Sequence, residues 1–152
     1  MRDQWYDGAS CTSNYAIATV SALESAWAIK MNLTTEETTD AVTNATVDPT
    51  FVRLSSQQVV SCSGDQGNMG CDGGSHTWAL DYIEANGVHT EEDYPYTGQS
   101  DACNTTVTDD ASLDTVEAIY YRRIAIADSN ALQAEVAEGP VVVAVNARNK
   151  WF

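Results

Sequence analysis

One long helical pattern restricts the fold of this 152-residue chain more than any other feature. From Asn14 to Met31, large apolar side chains recur at steps of three and four residues, at Ile17, Val20, Leu23, Trp27 and Met31. This spacing predicts an amphipathic helix. Because alanines fill many of the positions between them, we expect the helix to be packed on most of its sides, as the central helix of a domain is.

Two shorter helices are predicted in the middle of the chain. Ser55 and Gln58 form a capping-box pattern, which indicates that a short helix begins there. A further helix is expected over about residues 75–85, with Gly87 as its C-terminal stop. Five glycines within residues 63–74 predict an irregular loop between the two, because glycine tolerates positive φ. The buried side of the second helix should carry Trp78, Tyr82 and Ile83.

The last third of the chain is predicted to combine strands with one helix. Residues 115–127 are rich in β-branched and aromatic types and favour a strand. The wholly apolar run 141–145 favours a buried strand. Between them, a short amphipathic helix should be capped at Asp128 or Ser129 and end at Gly139. Its inward side should carry Leu132 and Val136.

The acidic balance of the chain limits the class of partner. Seven Lys and Arg stand against 22 Asp and Glu, which gives a formal net charge of -15 at pH 7. Because like charges repel, nucleic acid and anionic membrane surfaces are not expected partners. The acidic residues are dispersed, which is typical of a solvated exterior. No apolar run is long enough to predict a membrane span.

Cysteines and glycosylation sequons indicate the compartment. Four cysteines accompany three Asn-X-Thr sequons, at Asn32, Asn44 and Asn104. The combination favours an oxidising, glycosylating compartment and a structural role for the cysteines in disulfides, of which three pairings are possible. The cysteine spacing suits no structural zinc site. The polar residues 32–48 are expected to form an exposed insertion. No signal-peptide pattern follows Met1, so a secretion signal is expected upstream of the sequence shown.

Six stretches of the sequence resemble, in order, the landmarks of one family. They are Gln4, then GASCTSNYAIA, LSSQQVVSC, GCDGG, EEDYPYTG and EGPVVVAV. Together they resemble the papain-like cysteine proteases, the cathepsin L group especially. The resemblance implies the α+β class and the papain-like cysteine protease fold, here mainly the helical left half plus the first strands of the β-barrel right half. Residues 1–110 would form the left subdomain with an insertion at 32–52, and residues 111–152 the start of an incomplete right subdomain.

The resemblance also assigns roles to the cysteines and to a substrate cleft. Cys11 would pair with Cys71, and Cys62 with Cys103. Gly73 and Gly74 would form the backbone strip that pairs with an extended substrate, and Ala144 would form the wall of a side pocket. The cleft would thus include Gly73, Gly74, Ser75, His76 and Ala144.

Asn14 departs from the family's catalytic pattern. It takes the place of the nucleophilic cysteine, and an amide has no accessible form equivalent to a thiolate. Asn at this position is instead well suited to cap the helix. Ser13 lies one residue from the nucleophile's position and should point in a different direction. If Cys11 were the nucleophile, Cys71 would have no disulfide partner. Neither residue is therefore expected to act as a substitute nucleophile. Gln4 resembles the oxyanion-hole Gln, although more residues separate it from Cys11 than in the family pattern.

The other catalytic residues of the family are expected beyond Phe152. The family's catalytic His and the Asn that orients it follow the strand that VVVAV resembles. His76 and His89 do not match that position and are interpreted as surface or loop residues.

These observations favour a non-catalytic papain-like domain, a pseudoprotease, in a secreted or lysosome-like compartment. It would serve as a structural or peptide- or protein-binding module, without metal or cofactor. The apolar face of 141–145 would be covered by the remaining half of the domain or by another subunit, and a peptide could lie in the cleft. One alternative is an active cysteine-type endopeptidase with an unorthodox nucleophile. Another is a structural subunit of an extracellular assembly, with the insertion as a contact or glycan platform.

Overall fold

The computed structural model describes seven parts of the chain: residues 5–6, 9–30, 38–39, 46–47, 52–117, 120–125 and 128–145. Its five α-helices are α1 Asn14–Lys30, α2 Ser56–Cys62, α3 His76–Asn86, α4 Thr105–Thr108 and α5 Ser129–Glu138. Two short antiparallel strand pairs join β1 Trp5–Tyr6 to β2 Ala9–Ser10 and β3 Thr38–Thr39 to β4 Thr46–Val47. The second strand pair lies within the predicted insertion.

Local signals explain where the predicted helices begin. At the start of α2, the Ser55 hydroxyl accepts a hydrogen bond from the Gln58 N–H at 2.9 Å, which confirms the first half of the capping-box prediction. The Ser75 hydroxyl accepts from the Thr77 N–H at 3.3 Å at the start of α3. The Asp128 carboxylate accepts from the Ala131 N–H at 2.9 Å at the start of α5. These contacts satisfy N–H groups that have no partner within the helix.

The hydrophobic core lies where α1, α2 and α3 meet. Each helix contributes side chains that are fully removed from solvent, among them Ala16, Val20, Val59 and Ile83. The second half of α1 differs, because Trp27 is 38% exposed and Ile29 is 61% exposed. The prediction that α1 is packed on most of its sides is therefore wrong for that half within the described residues, where it borders an open groove. Trp78 is also 40% exposed, contrary to prediction, because it lies over the backbone of Gly67 at the surface.

The predicted strands of the last third do not form a sheet among the described residues. Of the segment 115–127, the described part contributes one isolated bridge, in which Val88 and Val116 exchange N–H to C=O hydrogen bonds of 2.9 Å. Residues 141–145 form no ladder with any described residue, and Val143 is 58% exposed. A strand exists only with a partner strand, and an apolar run is buried only by a covering layer.

The helix α5 follows the same rule. Its predicted inward residues are exposed, Leu132 by 37% and Val136 by 60%, so that prediction is wrong within the described part of the chain. The periodicity correctly predicted the helix and its amphipathic pattern. It could not supply the surface against which the apolar side would pack.

Two disulfides connect these elements. Cys11 is bonded to Cys71, and Cys62 to Cys103, with Cα–Cα distances of 4.4 and 4.7 Å. The pairing implied by the family resemblance is confirmed. The first disulfide joins the segment before α1 to the glycine-rich loop, and the second joins the end of α2 to the segment before α4. None of the described helices is long and apolar enough to cross a membrane.

Candidate functional site

The start of α1 places Asn14 at the protein surface. Asn14 is the first helical residue and is exposed, three positions after the disulfide-bonded Cys11. The residue in the N-cap position is Ser13, whose carbonyl accepts the Ile17 N–H at 3.0 Å. The expectation that Asn14 caps the helix is therefore wrong by one residue, because the helical turn already includes it. The Asn14 side chain is exposed and makes no hydrogen bond with the described residues.

The two neighbours that could replace a nucleophile are both engaged. Ser13 is fully buried, and its hydroxyl forms a 2.7 Å hydrogen bond with the Tyr96 hydroxyl, so it points into the protein as expected. Cys11 is 1% exposed and its sulfur is bonded to that of Cys71. The Thr12 N–H also donates to the Cys71 carbonyl at 2.9 Å. Disulfide and hydrogen bond together fix the segment that leads into α1 against the glycine-rich loop.

Tyr15 connects α1 to the same loop from within the protein. Its hydroxyl donates to the Gly70 carbonyl at 3.1 Å, and the side chain is 4% exposed. Burial, with a smaller contribution from the neighbouring Tyr96, raises the pKa of Tyr15 to about 12. Tyr15 therefore stays neutral over the physiological range and acts as a hydrogen-bond donor and a packing surface, not as a base.

In the segment Gly73–Ser75, one residue has both its backbone N–H and its backbone C=O unpaired among the described residues. The Gly73 carbonyl accepts the Met69 N–H at 2.9 Å, and the Ser75 N–H donates to the Asn68 Oδ1 at 2.8 Å. Between them, the N–H and C=O of Gly74 make no hydrogen bond with the described part of the protein. Gly74 is exposed, so both groups are open to an extended chain that would pair with them as a strand does.

Asn68 explains why position 74 is a glycine. A Cβ atom at Gly74 would collide with the Asn68 Oδ1 and would lie 3.0 Å from the Tyr15 ring. Asn68 is 5% exposed and is fixed from behind, because its Nδ2 donates to the Ser63 hydroxyl at 2.8 Å. Sequence reasoning missed Asn68, since an Asn among glycines is typical of any turn.

A groove of about 1370 Å³ lies between α1, the start of α3, α5 and residues 139–144. His76 and Ala144 both line it, so two of the predicted cleft residues border the same groove although 68 positions separate them in the sequence. Gly73, Gly74 and Ser75 are not part of its lining. Gln4 lies outside the described residues, so its predicted oxyanion role stays a prediction.

His89 does not behave as predicted. It is 1% exposed, whereas we expected a surface or loop residue. Its N–H donates to the Gln58 Oε1 at 2.8 Å and its carbonyl accepts the Ser55 N–H at 2.9 Å, so α2 covers it. Neither ring nitrogen has a hydrogen-bond partner among the described residues. His89 therefore belongs to the packed interior near α2.

Comparison with known proteins agrees with this arrangement. The family model "Papain family cysteine protease" matches residues 2–152. A cathepsin L-like proteinase of Phaedon cochleariae is 32% identical over 135 residues, which cover 89% of this chain and 36% of that protein. Cysteine proteinase 2 of Entamoeba histolytica is 33% identical over 146 residues, which cover 96% of this chain and 40% of that protein.

A solved structure shows the same fold. The cysteine protease CMS1MS2 of Carica candamarcensis, in complex with E-64, superposes with a TM-score of 0.66 at 23% identity, over 91% of this chain and 53% of that one. The chain belongs to the papain family of cysteine proteases, and its fold is α+β and papain-like. It spans about two fifths or less of the length of these two curated relatives.

Proposed function

We propose that this chain is part of a catalytically inactive papain-family domain. One observation carries the proposal: all four cysteines of the sequence lie in the described residues and all four are in disulfides. Papain-family chemistry needs a thiolate, and a disulfide sulfur has no proton to lose and no free electron pair of thiolate strength. The family resemblance puts Asn14 at the nucleophile's position, where a carboxamide cannot take over that role.

The same domain would bind an extended peptide without cutting it. The free N–H and C=O of Gly74 support this, since they offer a pair of hydrogen bonds to a passing backbone. The groove that begins at the start of α3 offers apolar lining for a peptide side chain, with His76 and Ala144 among its lining residues. Ser75 would orient the strip through its cap on α3, and Gly73 through its contact with Met69.

A secretory or lysosome-like location is part of the proposal. Two disulfides are typical of an oxidising compartment, and Asn104 is exposed, as a glycosylated Asn must be. Asn32 and Asn44 lie outside the described residues and are proposed as glycosylation sites from their sequons alone. The apolar groove and the exposed Val143 would be covered by the remaining half of the papain-like domain or by another subunit.

A peptide-binding experiment tests this function. The full-length protein is incubated with a fluorogenic peptide substrate of broad cysteine-protease specificity, and both fluorescence release and binding are followed. We expect saturable binding and no cleavage. Gly74→Ala should weaken binding about tenfold or more, because the added Cβ collides with Asn68 beneath the strip. Gly64→Ala is the matched control, since a Cβ at Gly64 meets nothing within 4 Å.

Three outcomes would contradict the proposal. Cleavage that Ser13→Ala or an Asn14 substitution abolishes would identify an active peptidase with an unorthodox nucleophile. Equal loss of binding in Gly74→Ala and Gly64→Ala, or no binding by the unaltered protein, would exclude the glycine strip as the peptide site.

A further inference from the structure

The sequon at Asn104 lies directly beside a disulfide. The preceding residue, Cys103, is bonded to Cys62, and the two Cα atoms are 4.7 Å apart. Asn104 and Thr106, the two residues that an N-glycosylating enzyme must engage, are both exposed. The Asn104 side chain makes no capping hydrogen bond to α4. A glycan on Asn104 would thus point into solvent and is compatible with the folded protein.

The backbone of this sequon is nevertheless closed into a turn. The Asn104 carbonyl accepts the N–H groups of Val107 and Thr108 at 3.1 and 3.2 Å, so the helical turn of α4 begins inside the sequon. The Asn104 N–H donates to the Tyr94 hydroxyl at 3.0 Å. Because the Asn104 backbone uses both its donor and its acceptor in this way, the folded sequon does not offer a free, extended chain.

The turn is anchored on the disulfide itself. Tyr94 is 7% exposed, and the hydroxyl that binds the Asn104 N–H lies 3.9 Å from the Cys62 sulfur. The disulfide therefore holds the sequon both through the covalent bond of Cys103 and through Tyr94. The bond also closes a loop with a sequence separation of 41, which removes much of the conformational freedom of the unfolded chain.

Glycan transfer requires the chain to leave this turn. In the reaction, the Asn104 Nδ2 forms a bond to the anomeric carbon of a lipid-pyrophosphate-linked oligosaccharide. The bond from that carbon to the pyrophosphate oxygen breaks, the lipid pyrophosphate departs with the electron pair, and Nδ2 loses one proton. The enzyme must surround both the amide and the Thr106 hydroxyl, which a closed helical turn prevents.

We infer that glycosylation of Asn104 competes with formation of the Cys62–Cys103 disulfide. The sequon is modified before the two thiols are oxidised and is protected afterwards. Oxidation passes two electrons and two protons from the thiols to a protein disulfide of the compartment, by thiol-disulfide exchange. The inference rests on the secretory location proposed above. If it holds, the fraction of molecules glycosylated at Asn104 increases as the Cys62–Cys103 disulfide forms more slowly.

The test compares site occupancy in matched cysteine variants. The full-length protein is expressed through the secretory pathway of a eukaryotic cell, and occupancy at each sequon is measured by mass spectrometry after enzymatic glycan release in heavy-oxygen water. We expect partial occupancy of Asn104 in the unaltered protein and an increase of about twofold or more in Cys62→Ser, which frees the turn and leaves the sequon and its neighbours unchanged. Cys11→Ser is the control, because it breaks the other disulfide.

A second measurement covers the case in which Cys62→Ser is degraded. Unaltered protein made during a brief dithiothreitol pulse should show the same rise at Asn104. Full occupancy, zero occupancy under all conditions, or an equal rise in Cys11→Ser would overturn the inference. Asn32 and Asn44 distinguish failure of this inference from failure of the proposed location. A glycan on either residue, together with an occupancy at Asn104 that does not depend on the disulfide, would contradict the inference and leave the secretory location standing. Absence of glycan from all three sequons would contradict the proposed secretory location as well.

Discussion

At the scale of single residues, the segment that leads into α1 carries no free thiol, because Cys11 is bonded to Cys71. Asn14 is exposed, Ser13 is buried against Tyr96, and Cys11 is in a disulfide. Among these three side chains, only the Asn14 carboxamide is exposed to solvent. The described residues thus hold no free thiol, while the backbone N–H and C=O of Gly74 make no hydrogen bond with any of them.

Residue roles were predictable where their cause is local. Ser55 and Asp128 were predicted as caps because a cap depends on residues within one turn. Asn68 and His89 were not predicted, since the role of Asn68 depends on contacts with Ser63 and Ser75 and the burial of His89 depends on α2. The disulfide pairing came from family resemblance, because four cysteines alone leave three pairings open.

Tyr15 should give the protein a distinctive loss of stability at alkaline pH. Its folded-state pKa of about 12 lies above the ordinary value of 10.0. A raised folded pKa contributes stability that is fully present below pH 10 and is lost as pH rises through 12. We expect the melting temperature to fall between these values, and to fall less steeply in Tyr15→Phe.

Thermal unfolding followed by circular dichroism from pH 8 upward measures this effect. At neutral pH, Tyr15→Phe should be less stable by about 1 kcal/mol, because the hydrogen bond to Gly70 is lost. Tyr120→Phe is the control, since Tyr120 is 79% exposed. An identical alkaline slope in the Tyr15→Phe variant and the unaltered protein would be incompatible with this role.

At the scale of elements, helices were predicted far better than strands. The positions of α1, α2, α3 and α5 agree with prediction to within one or two residues, because helical periodicity and caps are encoded within each segment. The strand predicted at 115–127 and that at 141–145 depended on partners elsewhere, and the described residues contain no ladder for either. The short α4 was missed because its four residues carry no periodic signal.

The cap of α2 should contribute more to stability than that of α5. The Ser55 hydroxyl is fully buried, accepts the Gln58 N–H and donates to the Tyr94 carbonyl at 2.6 Å. Ser55→Ala leaves both groups without a partner inside the protein, so we expect a loss of about 2–3 kcal/mol in the free energy of unfolding. The cap at Asp128 is exposed, and Asp128→Ala should cost about 0.5–1 kcal/mol.

Urea unfolding of the two variants decides between these expectations. Equal losses in Ser55→Ala and Asp128→Ala would mean that burial of the α2 cap adds nothing to its hydrogen bonds. A change in the slope of the transition would indicate that the variants also alter the unfolded state.

At the scale of the whole molecule, the chain forms the helical part of a papain-like domain around one core. The Cys11–Cys71 disulfide joins the segment before α1 to the glycine-rich loop, and the groove of about 1370 Å³ borders the exposed half of α1. No described residue covers this groove, so the apolar periodicity of α1 and α5 exceeds the burial of their side chains. The fold class was predictable from the order of motifs along the sequence. The exposure of the apolar side chains of α1 and α5 was not, because it depends on which residues pack against those helices.

Disulfide mapping with a thiol count measures whether residues 1–152 of the native protein contain a thiol that could act as a nucleophile. The native full-length protein is denatured without reductant, alkylated and digested, and the linked peptides are identified by mass spectrometry. Within residues 1–152, the account predicts a Cys11–Cys71 pair, a Cys62–Cys103 pair and no alkylated cysteine. A substantial fraction of Cys11 or Cys71 recovered as a free, alkylated thiol would contradict it, because a thiol would then be present at the start of α1 and available for catalysis.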